Sequence, residues 1–271
     1  MLTYDALIEQ AKIRGMPPTK IRGILREYLQ ILILKELYRH ELGRELYFTG
    51  GTYLRLIHNL KRFSEDLDFN ASKQLTSEKF ENLINKVVNE LSRLGTKIDL
   101  QFAHWDSILV AKLIFPEVER LYNIISKHSK KAGIIIKLET NKPKWKIKTE
   151  AQVISGFGEI YPCICTNIGA LFADKIDALT KKERGRHLYD IIFLLSNKFG
   201  VDRKVLKTLS IEQDPLDVIL SRVKSLLKAE LKKQAEILRP FLFEESEAEL
   251  LINSHDIIPK LVEQYRKSLS T

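Results

Sequence analysis

Asp66 and Asp68 stand one residue apart in Arg62-Phe63-Ser64-Glu65-Asp66-Leu67-Asp68-Phe69, downstream of Phe48-Thr49-Gly50-Gly51-Thr52. In an extended strand alternate side chains share a face. Both carboxylates therefore point one way, and Leu67 and Phe69 point into a core. Two acids on one face repel each other, and a divalent cation relieves that repulsion. Hard carboxylate oxygens of this kind suit magnesium or manganese. Gly50 and Gly51 lie between an apolar strand-like run, Leu46-Tyr47-Phe48, and a helix-like run over residues 53–59. Amides exposed at such a helix start form an anion site, and a missing side chain lets a phosphate come close. A phosphate cradle beside a metal-binding acid pair points to phosphoryl or nucleotidyl transfer.

Transfer of this type uses two metal ions, roughly 3.5–4 Å apart, and needs a further carboxylate. Glu139 is the candidate, because it ends Ile134-Ile135-Ile136-Lys137-Leu138-Glu139, an apolar strand in which an acid needs a reason to be present. Thr52 either caps the helix or touches a phosphate. Arg55 either reaches the phosphates or pairs with an acid. Lys175 falls on the apolar stripe formed by Ile168, Leu171, Phe172, Ile176 and Leu179. A lysine facing inward must meet an anion or extend out to water, and the triphosphate of an incoming nucleotide is the favoured anion. Arg186 and Asp190 lie one helical turn apart and can pair. Asp190 sits in an apolar helix, where it orients Arg186 or Lys175 or forms a salt bridge that holds the fold. Ser64 is either a plain polar strand residue or a regulatory phosphorylation site. His187 is not needed as a base where metals activate the acceptor.

The elements that position these residues follow from periodicity and breakers. The first 45 residues read as helical, with Pro17-Pro18-Thr19 separating two helices and Gly43 ending the second. Strands are predicted near residues 46–49, 66–70, 98–102, 108–115, 133–140, 150–154 and 162–166. Phe80, Leu83, Ile84, Val87, Val88 and Leu91 follow helical spacing, with Gly95 as the stop. Beyond Thr166 every segment reads as helix: 168–180, 188–197, 201–209, a long one over 215–238, and two shorter pieces. The predicted architecture is α+β: a mixed-sheet module with N-terminal helices over residues 1–166, then a helical domain over 167–271.

With 271 residues and 44% apolar content, the chain can bury a proper core. Its net charge of +9 favours polyanionic partners. The bias is local: residues 127–148 hold eight lysines against the single acid Glu139, with Trp145 among them. Lys142, Lys144, Trp145 and Lys146 are candidates for RNA contact. The alternative is a solvated lysine face. Cys163 and Cys165 are too close on a strand for disulfide geometry and read as buried thiols of a reduced compartment. No apolar run approaches the ~20 residues needed to span a membrane, and the start carries no signal-peptide pattern. The expected location is the cytoplasm.

The glycine turn with Leu54-Arg55, the Ser-x-Asp-x-Asp segment, Lys175-Ile176-Asp177-Ala178-Leu179 and Gly185-Arg186-His187-Leu188-Tyr189-Asp190-Ile191 together resemble the AbiEii-type nucleotidyltransferases. These belong to the DNA polymerase beta-like superfamily, whose signature is a glycine pair, a gap and Asp-x-Asp. The resemblance covers roughly residues 20–200. It implies transfer of a nucleoside monophosphate from a nucleoside triphosphate, in some relatives to the acceptor end of tRNA. It also implies a toxin role with a cognate antitoxin, in some systems linked to phage defence, and a third acid on a later strand beside the acid pair. Tyr53 follows the turn where the family often has alanine. Two other readings stand beside this one: a small-molecule, antibiotic-type nucleotidyltransferase, and a non-catalytic module that binds RNA or antitoxin.

Overall fold

The computed structural model describes residues 1–105, 108–124, 133–182 and 184–269. The chain divides into two compact units. The first comprises Met1–Asn59, Phe63–Pro143 and Thr149–Thr166; the second comprises Leu60–Arg62, Lys144–Lys148 and Asn167–Thr271. The main change of unit thus falls at Thr166, with two short excursions before it.

The first unit opens with α1 (Tyr4–Ile13), capped by Thr3, whose hydroxyl accepts from the Ala6 amide. The two prolines then separate it from α2 (Ile21–Arg39). Nearly every residue of α2 from Ile24 onward is buried, Glu27 and Gln30 included, so this helix is enclosed rather than amphipathic. There follow β1 (Leu46–Thr49), α3 (Gly50–His58), β2 (Leu67–Ala71) and α4 (Ser77–Ser92). The antiparallel pair β3 (Asp99–Trp105) and β4 (Ile108–Phe115) leads to the short α5 (Val118–Leu121). Then come β5 (Ile134–Asn141), β6 (Thr149–Gly156) and β7 (Glu159–Thr166).

Among the described residues these seven strands form one mixed sheet in the order β3-β4-β5-β2-β1-β7-β6. β1 and β2 are central. They pair antiparallel, while β2 pairs parallel with β5 and β1 parallel with β7. Burial alternates along β5: Ile134, Ile136 and Leu138 are buried while Ile135 is exposed, so one face of the apolar run packs into the core. Phe48 packs on Phe69 and on Tyr53, with ring centroids 5.7 Å and 5.9 Å apart. That cluster locks β1, β2 and α3 together.

The second unit contains α6 (Ile168–Lys181), α7 (Gly185–Ser196), α8 (Arg203–Thr208), α9 (Pro215–Ser225), α10 (Lys228–Leu238), α11 (Glu249–Ile252) and α12 (Ser254–Leu269). The long helix expected over 215–238 is in fact two. Leu226 and Leu227 adopt extended ψ angles of 135° and 142°, and the Leu227 amide donates to Glu230 as a new helix start. Neither residue is a glycine or proline, so the break carries no composition signal. The last helix is longer than expected and keeps Pro259 inside it.

Candidate active site

Strand β2 presents the acid pair as its spacing requires. Leu67 and Phe69 are buried, and Asp68 faces the other side, half-buried. Asp66 sits one residue before the strand. Asp68 is in direct register with Glu139 of β5, so the two carboxylates occupy neighbouring positions on one face. Lys137 lies two residues before Glu139 on that same face. Its ammonium is 2.7 Å from Glu139 Oε2 and 3.6 Å from Asp66 Oδ2. Burial opposes its charge, but the bond to Glu139 and the charges of Asp66, Glu139 and Asp68 prevail and raise its pKa. Glu139 and Asp66 thus share one lysine, with Asp68 on the same face. Among the described residues no group of three or more Asp, Glu, His or Cys side chains is placed to hold a metal ion.

Gly50 explains the glycine turn. Its φ is +80°, the region that favours glycine. A Cβ there would collide with the Asp68 carboxylate, 2.8 Å from its Cγ, so only a bare backbone lets the start of α3 lie against that acid. Gly51 follows within the first turn of α3, with its amide among those a helix start leaves unpaired. Thr52 is fully buried and its hydroxyl donates to the main-chain carbonyl of Asp66. It anchors the acid segment. Arg55 resolves on the side of an acid partner: its buried guanidinium donates to Glu27 at 2.8 Å and to Asn59 at 3.0 Å. Glu27 also pairs with Arg14 at 3.2 Å.

The segment before β2 is fixed by residues that sequence reading passes over. Gln30, buried in α2, donates its amide to the carbonyls of Ser64 and Glu65, both at 3.0 Å. Arg26 pairs with Glu65 at 2.6 Å. Ser64 is thus held by its backbone, and its side chain is only partly buried.

In the second unit Asp190 is fully buried. Arg62 grips it with two bonds, Nε to Oδ1 at 2.8 Å and Nη2 to Oδ2 at 2.9 Å. Lys175 adds a third contact at 2.8 Å. Burial alone would raise the Asp190 pKa, but the two cations overcome it and hold the acid well below the usual carboxylate range. Lys175 is buried, as its stripe position predicts, and the anion it meets is Asp190. Arg62 takes the role that helical spacing had offered to Arg186, which is half-exposed. His187 is buried with neither ring nitrogen hydrogen-bonded, and burial, then the Lys175 charge, lowers its pKa to about 3. It is neutral at physiological pH.

The lysine-rich stretch divides. Lys127, Lys130 and Lys131 lie outside the described residues. Lys142 is half-buried and donates to the Leu75 carbonyl at 2.5 Å. Lys144 and Lys146 are exposed, and Lys148 pairs with Asp202 at 2.8 Å. Trp145 is buried, with 8% of its surface exposed, so it is a packing residue and not the stacking platform that its lysine neighbours suggested. The two cysteines are buried free thiols. No helix among the described residues is long and apolar enough to cross a membrane.

A mixed sheet with Asp68 on a central strand, Asp66 just before it and a glycine-started helix alongside is an arrangement that suits nucleotidyl transfer. The family model for the AbiEii nucleotidyl transferase toxin of type IV toxin–antitoxin systems matches residues 32–251. The chain belongs to that family. It is a nucleotidyltransferase, its substrate is a nucleotide, and its family pairs a toxin with an antitoxin. The non-catalytic reading is thereby set aside. Solved structures share the fold. JHP933 from Helicobacter pylori superposes with a TM-score of 0.54 at 20% identity, covering 92% of this chain and 95% of its own. A putative nucleotidyltransferase from H. pylori gives 0.55 at 21%, covering 90% and 96%. MenT4, a nucleotidyltransferase toxin from Mycobacterium tuberculosis, gives 0.57 at 15%, covering 98% and 93%. A comparison with curated proteins gave no match.

Proposed function

We propose that the protein moves a nucleoside monophosphate from a nucleoside triphosphate to an RNA acceptor, the 3′ end of tRNA, and so acts as a growth-inhibiting toxin in the cytoplasm, in a setting that includes phage defence. The observation that carries the reading is the contact of Gly50 with Asp68, with Glu139 in register beside it. It joins an anion-binding helix start to a carboxylate pair at one point of the sheet.

In donor chemistry the set suits a magnesium or manganese ion: Asp66, Asp68 and Glu139 offer hard oxygens only, and a cation, the Lys137 ammonium, already stands against Glu139 and Asp66. Asp66 and Asp68 would hold the ion, with Glu139 completing the site. Such an ion supplies charge neutralisation at the α-phosphate and a more acidic acceptor hydroxyl. The rest falls to the chain. Gly50 and Gly51 amides receive phosphate oxygens. Thr52 and Gln30 hold the acid segment still, so the reacting groups are positioned before chemistry begins. In the second unit, Asp190 and Arg62 fix Lys175, and we assign Lys175 and Arg186 to nucleotide binding.

The test is a transfer assay with each of four labelled triphosphates, total RNA, and chelator or added Mg²⁺. Labelling of tRNA that chelator abolishes is the expected result. Labelling of small cationic compounds in place of RNA would establish the antibiotic-type reading.

A further inference from the structure

Lys137 is a cation that the structure brings against Glu139 and Asp66, and its sequence context gives it no role. Its position is not accidental to the sheet. β5 runs parallel to β2, and Asp68 is in register with Glu139, so the residue two before Glu139 faces the same side, next to the start of β2. The 2.7 Å bond to Glu139 and the 3.6 Å approach to Asp66 span both strands. Lys137 also stands opposite Lys112 of β4, which is exposed and turned to solvent. Three like charges on adjacent strand positions would otherwise repel.

We propose that Lys137 is a resident counter-cation of the carboxylate site, a positioning residue that holds the acids together before the nucleotide arrives and competes with the divalent ion for them. This rests on the metal-dependent reading above. Entry of the ion must then displace the ammonium from Glu139, and metal affinity in the empty enzyme is held low. The freed ammonium is left beside the carboxylates, where the triphosphate that accompanies the ion is an anion of fitting charge. Binding of ion and nucleotide together is thereby favoured over binding of the ion alone.

The experiment titrates Mn²⁺ into the full chain by calorimetry and by loss of the free-ion electron paramagnetic resonance signal, without nucleotide. Lys137→Met and Lys137→Arg are compared with wild type, and each is also melted in chelator and in Mn²⁺. A charge a few ångströms from a site shifts affinity by roughly tenfold or more. Lys137→Met should therefore bind Mn²⁺ at least about tenfold more tightly. It should melt lower than wild type in chelator, with the difference closing in Mn²⁺. Lys137→Arg should keep the wild-type affinity. Should Lys137→Met prove too unstable in chelator to handle, its folding only on addition of Mn²⁺ is the same result in extreme form. Wild type that binds Mn²⁺, with Lys137→Met binding equally or more weakly, overturns the counter-cation role and leaves the metal reading standing. Absence of binding by all three proteins overturns both.

Discussion

Asp190 and Arg62 form a two-bond ion pair across 128 positions of sequence, at 2.8 Å and 2.9 Å, and Lys175 closes on the same carboxylate. The short segment Leu60–Arg62 belongs to the second unit for this reason among others: Arg62 also bridges to Leu242, and the Lys61 carbonyl accepts from the Phe243 amide. A buried acid with two cations is costly to break, because removal of the acid leaves uncompensated charge. Asp190→Ala should destabilise the protein by about 3–5 kcal/mol, read as a fall in urea midpoint. The pH dependence has a definite sign. The folded pKa of Asp190 lies below the ordinary 3.8, so the pair stabilises the fold above that value. The contribution drains away as pH falls below about 4. Asp190→Asn should lose that acid-limb slope. An unchanged slope below pH 4 would remove Asp190 as its source.

Asp68→Ala should abolish nucleotide transfer and growth inhibition while the chain stays folded. The carboxylate faces the site side of β2, so its loss opens no core cavity, and it relieves repulsion by Glu139. Circular dichroism and a labelled-nucleotide assay on one preparation decide the matter. A folded Asp68→Ala variant that still arrests growth refutes the catalytic assignment.

Gly50→Ala tests the cradle. The substitution forces an alanine to φ +80° and drives its Cβ into Asp68. The conformational penalty alone is about 1–2 kcal/mol. Transfer should fall far more than stability does, because Asp68 must move. Gly95→Ala, also at positive φ but with open space around it, serves as the control. It should show the stability loss with normal transfer.

Much of the fold was legible because it is periodic. The alternation at Leu67 and Phe69, the helical spacing from Phe80 to Leu91 and the proline pair each state a local rule, and β4 and α4 follow. The acid pair and Gly50 were legible for the same reason, being local in sequence. Arg62, Lys137 and Gln30 were not. Each meets a group far along the chain, Lys137 reaching Asp66 through strand register, Gln30 reaching Ser64 from its buried place in α2, and Arg62 reaching Asp190 of α7. Arg186 looked the natural partner of Asp190 because helical spacing is visible and tertiary pairing is not. Trp145 misled in a related way: lysines on both sides suggested an exposed face, yet the exposed alternation of Lys144 and Lys146 turns the residue between them inward.

That alternation sets the last prediction. Lys144 and Lys146 are exposed, whereas Lys142 is tied to Leu75 and Lys148 to Asp202. If RNA is held here, the double reversal Lys144→Glu and Lys146→Glu should raise the apparent KM for RNA and leave nucleotide binding intact. The log–log slope of affinity against salt should become shallower by about 0.7–0.9 for each phosphate no longer neutralised. Trp145→Ala should behave differently. The ring is packed in the second unit, so its truncation should cost about 3–5 kcal/mol of stability, with the salt slope unaltered. A tryptophan that stacked on a base would show the reverse, normal melting and weaker RNA binding. If the double reversal changes neither RNA labelling nor its salt dependence, these lysines form a solvated face and the acceptor binds elsewhere.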